Sequence, residues 1–254
     1  MSGFHTHALY RHEHSVLHDL PAQVKVSALV LFVAAVVATP REAFWAFAFE
    51  GALLVAGLVV ARIPFGFVLR RLVIEVPFIV FAVLMPFLGA GDRTSVLGLS
   101  LSVAGLWGAW TILAKGTLGL SASVLMAATT EIPDILGGLE RLRVPRLVTA
   151  IAGFMVRYLD VIAGELRRMR VAMAARGYDP TWVGQAGPIA ASAGALFVRS
   201  YERGERVHQA MLARGYTGIM PASNTAAATS KDWMVGSVIP LLAWVAAGAA
   251  LMMR

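Results

Sequence analysis

Hydrophobic residues in this chain come first in long unbroken runs and only later at helical spacing. Apolar runs at 24–39, 43–61, 73–88 and 96–130 precede a charged stretch, and a last one fills 233–253. A helix crosses the roughly 30 Å of bilayer hydrocarbon with about 20 such residues, so each run predicts a membrane span. The first is short, and Lys25 near its start is expected to snorkel to the interface. The fourth, interrupted by Lys115, is too long for one crossing, because about 35 residues of helix reach about 50 Å. It reads either as one helix projecting into the cytoplasm or as two helices broken near Gly116 and Gly119, which gives five or six spans.

From residue 131 the pattern changes. The segment 131–145, EIPDILGGLERLRVP, is a short amphipathic element held between prolines. Beyond it, Met155, Leu159, Ile162, Leu166, Met169 and Met173 recur at alternating steps of four and three, one face of a helix, with Arg157, Arg167, Arg168 and Arg170 off that face. Phe197, Tyr201, Gly204, His208 and Met211 repeat the pattern more weakly. The apolar starts of these helices, 147–156 and 188–198, are expected to be too short to span. Both helices end in Met-x-Ala-Arg-Gly-Tyr: Met173 aligns with Met211, Ala175 with Ala213, Arg176 with Arg214, Gly177 with Gly215 and Tyr178 with Tyr216. Glycine there predicts a left-handed cap, and an arginine just before it sits favourably at the negative end of the helix dipole. One copy needs no further reading than a capped helix end. Two matching copies point to two equivalent recognition tips, each a small alanine, a planar five-donor cation and a glycine that enter a groove and bind carboxylate or carbonyl oxygens.

The chain therefore divides into a His-rich tail (1–20), a transmembrane bundle (21–130), a cytoplasmic segment with the two tips (131–218), and a linker with a final span (219–254). With 58% hydrophobic residues and a mean hydropathy of +0.70, the expected fold is an all-α polytopic membrane bundle with two long amphipathic helices attached. The net charge of +7 is gathered in clusters such as Arg62, Arg70 and Arg71, which reads as membrane orientation rather than nucleic-acid binding. It places the N-terminus and the charged segment in the cytoplasm. No cleavable signal peptide is expected. The absence of cysteine excludes disulfides, iron–sulfur ligation and thiol catalysis.

Candidate chemistry is sparse. His5, His7, His12, His14 and His18 offer imidazoles to a divalent transition metal, but one flexible cluster without carboxylate partners makes a poor defined site and reads first as a solvated tail. Glu50 lies inside a span, where an acid is expected to face the bundle interior, either in a structural hydrogen bond or in coupling and partner contact. His208 is read as a packed or interface residue. No G-x-x-x-x-G-K-[ST] loop and no H-E-x-x-H occurs, so nucleotide hydrolysis by that route and metalloprotease chemistry have no residues to carry them. A membrane enzyme that uses the N-terminal histidines with a metal is the alternative from a different class, and it predicts metal-dependent turnover by the isolated chain.

The paired Ala-Arg-Gly tips at 175–177 and 213–215 resemble the signature of the transmembrane T component of energy-coupling-factor transporters. HSVLHDLPAQVKV at 14–26 is similar to that family's opening, and TTEIPDILGGLERLRVP at 129–145 to the start of its coupling segment; together they look most like the cobalt/nickel branch. The resemblance implies a non-catalytic scaffold in the bacterial cytoplasmic membrane, between two cytoplasmic ATPase subunits and a substrate-binding membrane subunit. Ala175, Arg176, Gly177, Ala213, Arg214 and Gly215 would dock the ATPases. It further implies that this chain binds no cofactor, that ATP and magnesium belong to the ATPases, and that transported Co2+ or Ni2+ is bound by the partner. The histidine-rich start has no counterpart in the resemblance. Two alternatives stand beside it: a T component serving a vitamin substrate, and a permease subunit of a conventional ATP-driven importer. The second normally docks through a Glu-Ala-Ala type motif that this chain lacks.

Overall fold

The computed structural model describes residues 15–89, 92–96, 99–217 and 227–253. They form two compact units, one from residues 15–142 with 227–253 and the other from 143–217.

The first unit begins with a one-turn helix, α1 (Val16–Asp19), capped by Ser15, followed by α2 (Ala22–Ala38) and α3 (Phe44–Val60). The next run is one apolar helical stretch, Phe65–Leu88, built of α4 (Phe65–Leu72), a 3-10 turn (Val73–Glu75) and α5 (Val76–Leu88). Pro77 explains the tightening: it has no N–H for the helical ladder, and the preceding turn closes as a 3-10 turn instead. The span expected at 73–88 thus starts eight residues earlier, in the arginine-bearing α4.

The long apolar run resolves into two elements. An antiparallel hairpin pairs β1 (Arg93–Val96) with β2 (Leu99–Ser102), Arg93 opposite Ser102 and Val96 opposite Leu99. Then α6 (Val103–Thr129) runs 27 residues without a break at Gly116 or Gly119, its start capped by Ser102 Oγ, which accepts from Gly105 N at 3.3 Å. After α7 (Ile132–Arg141), this unit is completed by α10 (Ser230–Met252), whose first turn has reciprocal capping between Thr229 and Asp232. In this unit 65–88, α6 and α10 are long and apolar enough to cross a membrane, and α2 and α3 are shorter apolar helices of 17 residues each.

Small residues set the packing. Hydrocarbon tails are as apolar as leucine, so helices associate in a bilayer by close contact rather than by the hydrophobic effect. Accordingly Ala35, Ala122 and Ala243 sit with Phe32, Val36, Phe47 and Leu54 in the main cluster joining α2, α3, α6 and α10. Gly105 lets α6 touch α5, since a Cβ there would lie 2.7 Å from Pro86 Cα. Large apolar side chains such as Val73, Ile74, Phe78 and Phe81 point outward, as bilayer-facing residues do.

The second unit is a helix pair, α8 (Arg146–Ala175) and α9 (Gly187–Ala213), joined through a 3-10 turn (Val183–Gln185). By length and composition α8 meets the requirement for a span, with a mean hydropathy of 1.6 over its most apolar window. That differs from the expectation that its apolar start ends at residue 156. Val161, Ile162 and Ala163 extend the run beyond Arg157 and Asp160, the two charges it carries up to Gly164.

Candidate functional site

The two tips have the same backbone. Arg176 follows α8 with φ −91° and ψ 12°, and Arg214 follows α9 with φ −92° and ψ 10°. The glycines after them take left-handed values, φ +77° at Gly177 and +82° at Gly215, a region costly to any residue with a Cβ. Gly177 N donates to Ala174 O at 2.9 Å and Tyr178 N to Met173 O at 3.1 Å; Gly215 N donates to Leu212 O at 2.9 Å and Tyr216 N to Met211 O at 3.0 Å. This is the Schellman pattern twice, and it satisfies carbonyls that would otherwise end each helix unpaired.

The consequence is an arginine on a fixed backbone with its side chain in the open. Ala175, Arg176 and Gly177 are exposed, as are Ala213, Arg214 and Gly215, while Tyr178 and Tyr216 are half-buried behind them. Among the described residues neither tip guanidinium takes part in an ion pair. The first tip is anchored from behind: the Tyr178 hydroxyl donates to the Gln185 carbonyl, and Thr181 N donates to Gln185 Oε1 at 2.8 Å. A guanidinium so presented offers a bidentate, charge-assisted bond to a carboxylate.

Between the tips the two helices are pinned. Glu165 Oε2 accepts from Arg203 Nη2 at 3.0 Å and Glu165 Oε1 from Arg199 Nη1 at 3.3 Å, with the glutamate side chain only 10% exposed. Ser192 Oγ donates to Met173 Sδ at 3.4 Å. Residues late in α8 therefore meet residues early in α9, and α9 runs back along α8.

The acid singled out within the spans, Glu50, faces the interior of the first unit and is fully buried. Thr39 Oγ1 lies 2.8 Å from Glu50 Oε1 and 3.0 Å from the Ala35 carbonyl, and Oε2 has no partner among the described residues. Lys115 Nζ reaches over from α6 to donate to the Val37 carbonyl at 2.6 Å. A second intramembrane acid went unread in the sequence. Glu75 is buried, and Thr117 Oγ1 lies 3.0 Å and 3.1 Å from its two oxygens, packed over Gly116, where a Cβ would come within 2.7 Å of Oε1. The signal was available, an acid at the head of an apolar run; its partner 42 residues away was not.

Of the histidines, His5, His7, His12 and His14 lie outside the described residues. His18 is in α1, its Nδ1 2.8 Å from Ser15 Oγ. Among the described residues no three His, Asp or Glu side chains gather as a group that could hold a metal ion. His208, read as a packed or interface residue, is exposed on α9.

These features define a multi-pass helical membrane protein whose distinctive chemistry is a pair of like arginine tips on a charged helix pair. The chain belongs to the cobalt transport protein family CbiQ, whose pattern it matches over residues 13–225. It is 27% identical over 212 residues to the cobalt transport protein CbiQ of Rhodobacter capsulatus, covering 80% of this chain and 84% of that one. It is 25% identical over 218 residues to the energy-coupling factor transporter transmembrane protein EcfT of Listeria innocua, covering 80% and 82%. An uncharacterized protein of Methanocaldococcus jannaschii is 26% identical over 212 residues, 80% of this chain and 72% of the relative. The resemblance first seen in the Ala-Arg-Gly tips thus agrees with similarity along most of the chain.

Proposed function

We propose that this chain is the transmembrane coupling subunit of an ATP-driven cobalt or nickel importer, non-catalytic itself. Two cytoplasmic ATPase subunits dock on the tips, and a separate membrane subunit in the same complex binds the metal. The observation that carries this reading is the pair of matching caps, which present Arg176 and Arg214 in one conformation. One surface chemistry displayed twice suits two copies of one partner groove. Family membership and the names of the relatives support the cargo and the assembly.

In this reading α8 and α9 lie in the cytoplasm although α8 is apolar enough to cross. Within the bilayer α8 would have to bury Arg157 and Asp160 at a cost of a few kcal/mol each, and its partner α9 carries Arg199, Glu202, Arg203, Glu205 and Arg206. Movement of the ATPases on binding and hydrolysing ATP is passed through the tips into the helix pair and on to the metal-binding subunit.

Co-purification of the ATPases with wild type, Arg176→Glu, Arg214→Glu and the double variant tests it. Reversing one charge should weaken binding by about 2–5 kcal/mol, because the partner carboxylate is left buried and unpaired. The double variant should lose the ATPases and retain the metal-binding subunit. Undiminished ATPase binding and metal uptake in the double variant would sink the assignment.

A further inference from the structure

The alignment of the two helix ends extends further back than the shared motif. Setting Met173 against Met211 sets Glu165 against Arg203, each eleven residues before its tip arginine. These equivalent positions touch, through the 3.0 Å bond of Arg203 Nη2 to Glu165 Oε2. Two copies of a motif related by a two-fold rotation meet at equal positions only beside the axis. The Glu165–Arg203 contact therefore lies at the same sequence distance from both tips, where a two-fold axis relating the two copies would pass.

Charge fits that position. Identical residues on the axis would place like charges together; this chain puts a carboxylate on one side and a guanidinium on the other, with Arg199 adding a second cation 3.3 Å from the same carboxylate. The carboxylate is withdrawn from water, Glu165 being 8% exposed, while Arg203 is half-buried, its Nη1 buried with no partner among the described residues, and Arg199 is exposed. A desolvated, doubly bonded carboxylate holds one arrangement of its helices and is costly to disrupt by removing one partner. Eleven residues are close to three helical turns, so each tip lies on the side of its helix that carries the pin. Because Met173 lies beside Ser192 and Arg214 follows 22 residues later, the tips are on the order of 30 Å apart.

We infer that Glu165 is a positioning residue, the pin that holds α8 and α9 at this axis. It fixes the spacing of the two arginine tips so that two like grooves are engaged together, and it passes the displacement of one tip to the other. The inference rests on the docking reading above and adds a residue remote from both docking surfaces.

The chain has no cysteine, so Ala174→Cys with Leu212→Cys gives a clean pair of exposed spin-label sites next to the tips. Pulsed EPR on the isolated chain should give one narrow distance distribution. Glu165→Gln and Glu165→Ala should broaden it, and the exchange of Glu165→Arg with Arg203→Glu should narrow it again where each single change does not. In the assembled transporter, Glu165→Gln should retain the ATPases to within about twofold while metal uptake falls about tenfold or more, since the pair and not the docking surface is lost. An unchanged distance distribution in both Glu165 variants, or unchanged uptake, would overturn the inference. If wild type fails to hold ATPases at all, the docking reading falls, while the distances in the isolated chain still test the pin.

Discussion

The ammonium of Lys25 donates to the Thr129 carbonyl at 2.8 Å and to the His18 carbonyl at 3.0 Å, so one buried side chain in α2 closes the end of α6 and the end of α1. This corrects the expectation that Lys25 snorkels outward. Carbonyls at a helix C-terminus lack internal partners and carry the negative end of the dipole, which makes them natural acceptors for a cation. Lys25→Met should therefore leave them unpaired and lower stability by about 1.5–3 kcal/mol, the range for hydrogen bonds to charged groups. Thermal unfolding in detergent checks it, and a midpoint equal to wild type would refute it.

The Thr39–Glu50 bond makes a second expectation. Thr39→Val removes a partner from a fully buried acid whose other oxygen already has none among the described residues. The cost should be about 1–3 kcal/mol. Glu50→Gln preserves shape and a hydrogen-bonding oxygen, and should change stability by less than half as much. Unfolding midpoints that rank the two variants in the opposite order would show that Thr39 is not the group that supports Glu50.

Close approach between α5 and α6 yields a third. Gly105→Ala forces a Cβ to within 2.7 Å of Pro86 Cα and should destabilise by about 1–3 kcal/mol, as overpacking does. Gly119→Ala on the same helix meets nothing within 4 Å and should be tolerated. Yield of monodisperse protein and its melting temperature distinguish the pair.

At the tips, Gly177→Ala and Gly215→Ala each place a Cβ in left-handed backbone, at a cost of about 1–2 kcal/mol. Open space surrounds both glycines, so the loss is conformational and not a clash. Each substitution should fray the last turn and weaken ATPase retention without unfolding the spans, and the double variant should lose more than either alone. Full retention in the double variant would show that the cap conformation is not required for docking.

Much of this was legible in the sequence for identifiable reasons. The spans could be read because an apolar run of span length has few other uses. The caps could be read because glycine after a periodic helix is nearly obligatory for a left-handed close. The hairpin before α6 escaped because Leu99 and Leu101 alternate with Ser100 and Ser102 inside a longer apolar run, where a period of two over four residues is easily taken for more helix. The Glu75–Thr117 and Lys25–Thr129 contacts escaped because they join residues far apart in the chain. The same holds for the Glu165 pin, which shows in the alignment only after the structure brings Glu165 and Arg203 together.

The helices of the first unit differ in length, and a bilayer must accommodate them. With 17 residues each, α2 and α3 present about 26 Å of helix, while the 27-residue α6 presents about 40 Å. Against about 30 Å of hydrocarbon, α2 and α3 are under-length and α6 is over-length. Because α6 packs against both α2 and α3, the mismatch lies between neighbours in one bundle, and tilting the long helix is the way to seat all three in a single bilayer.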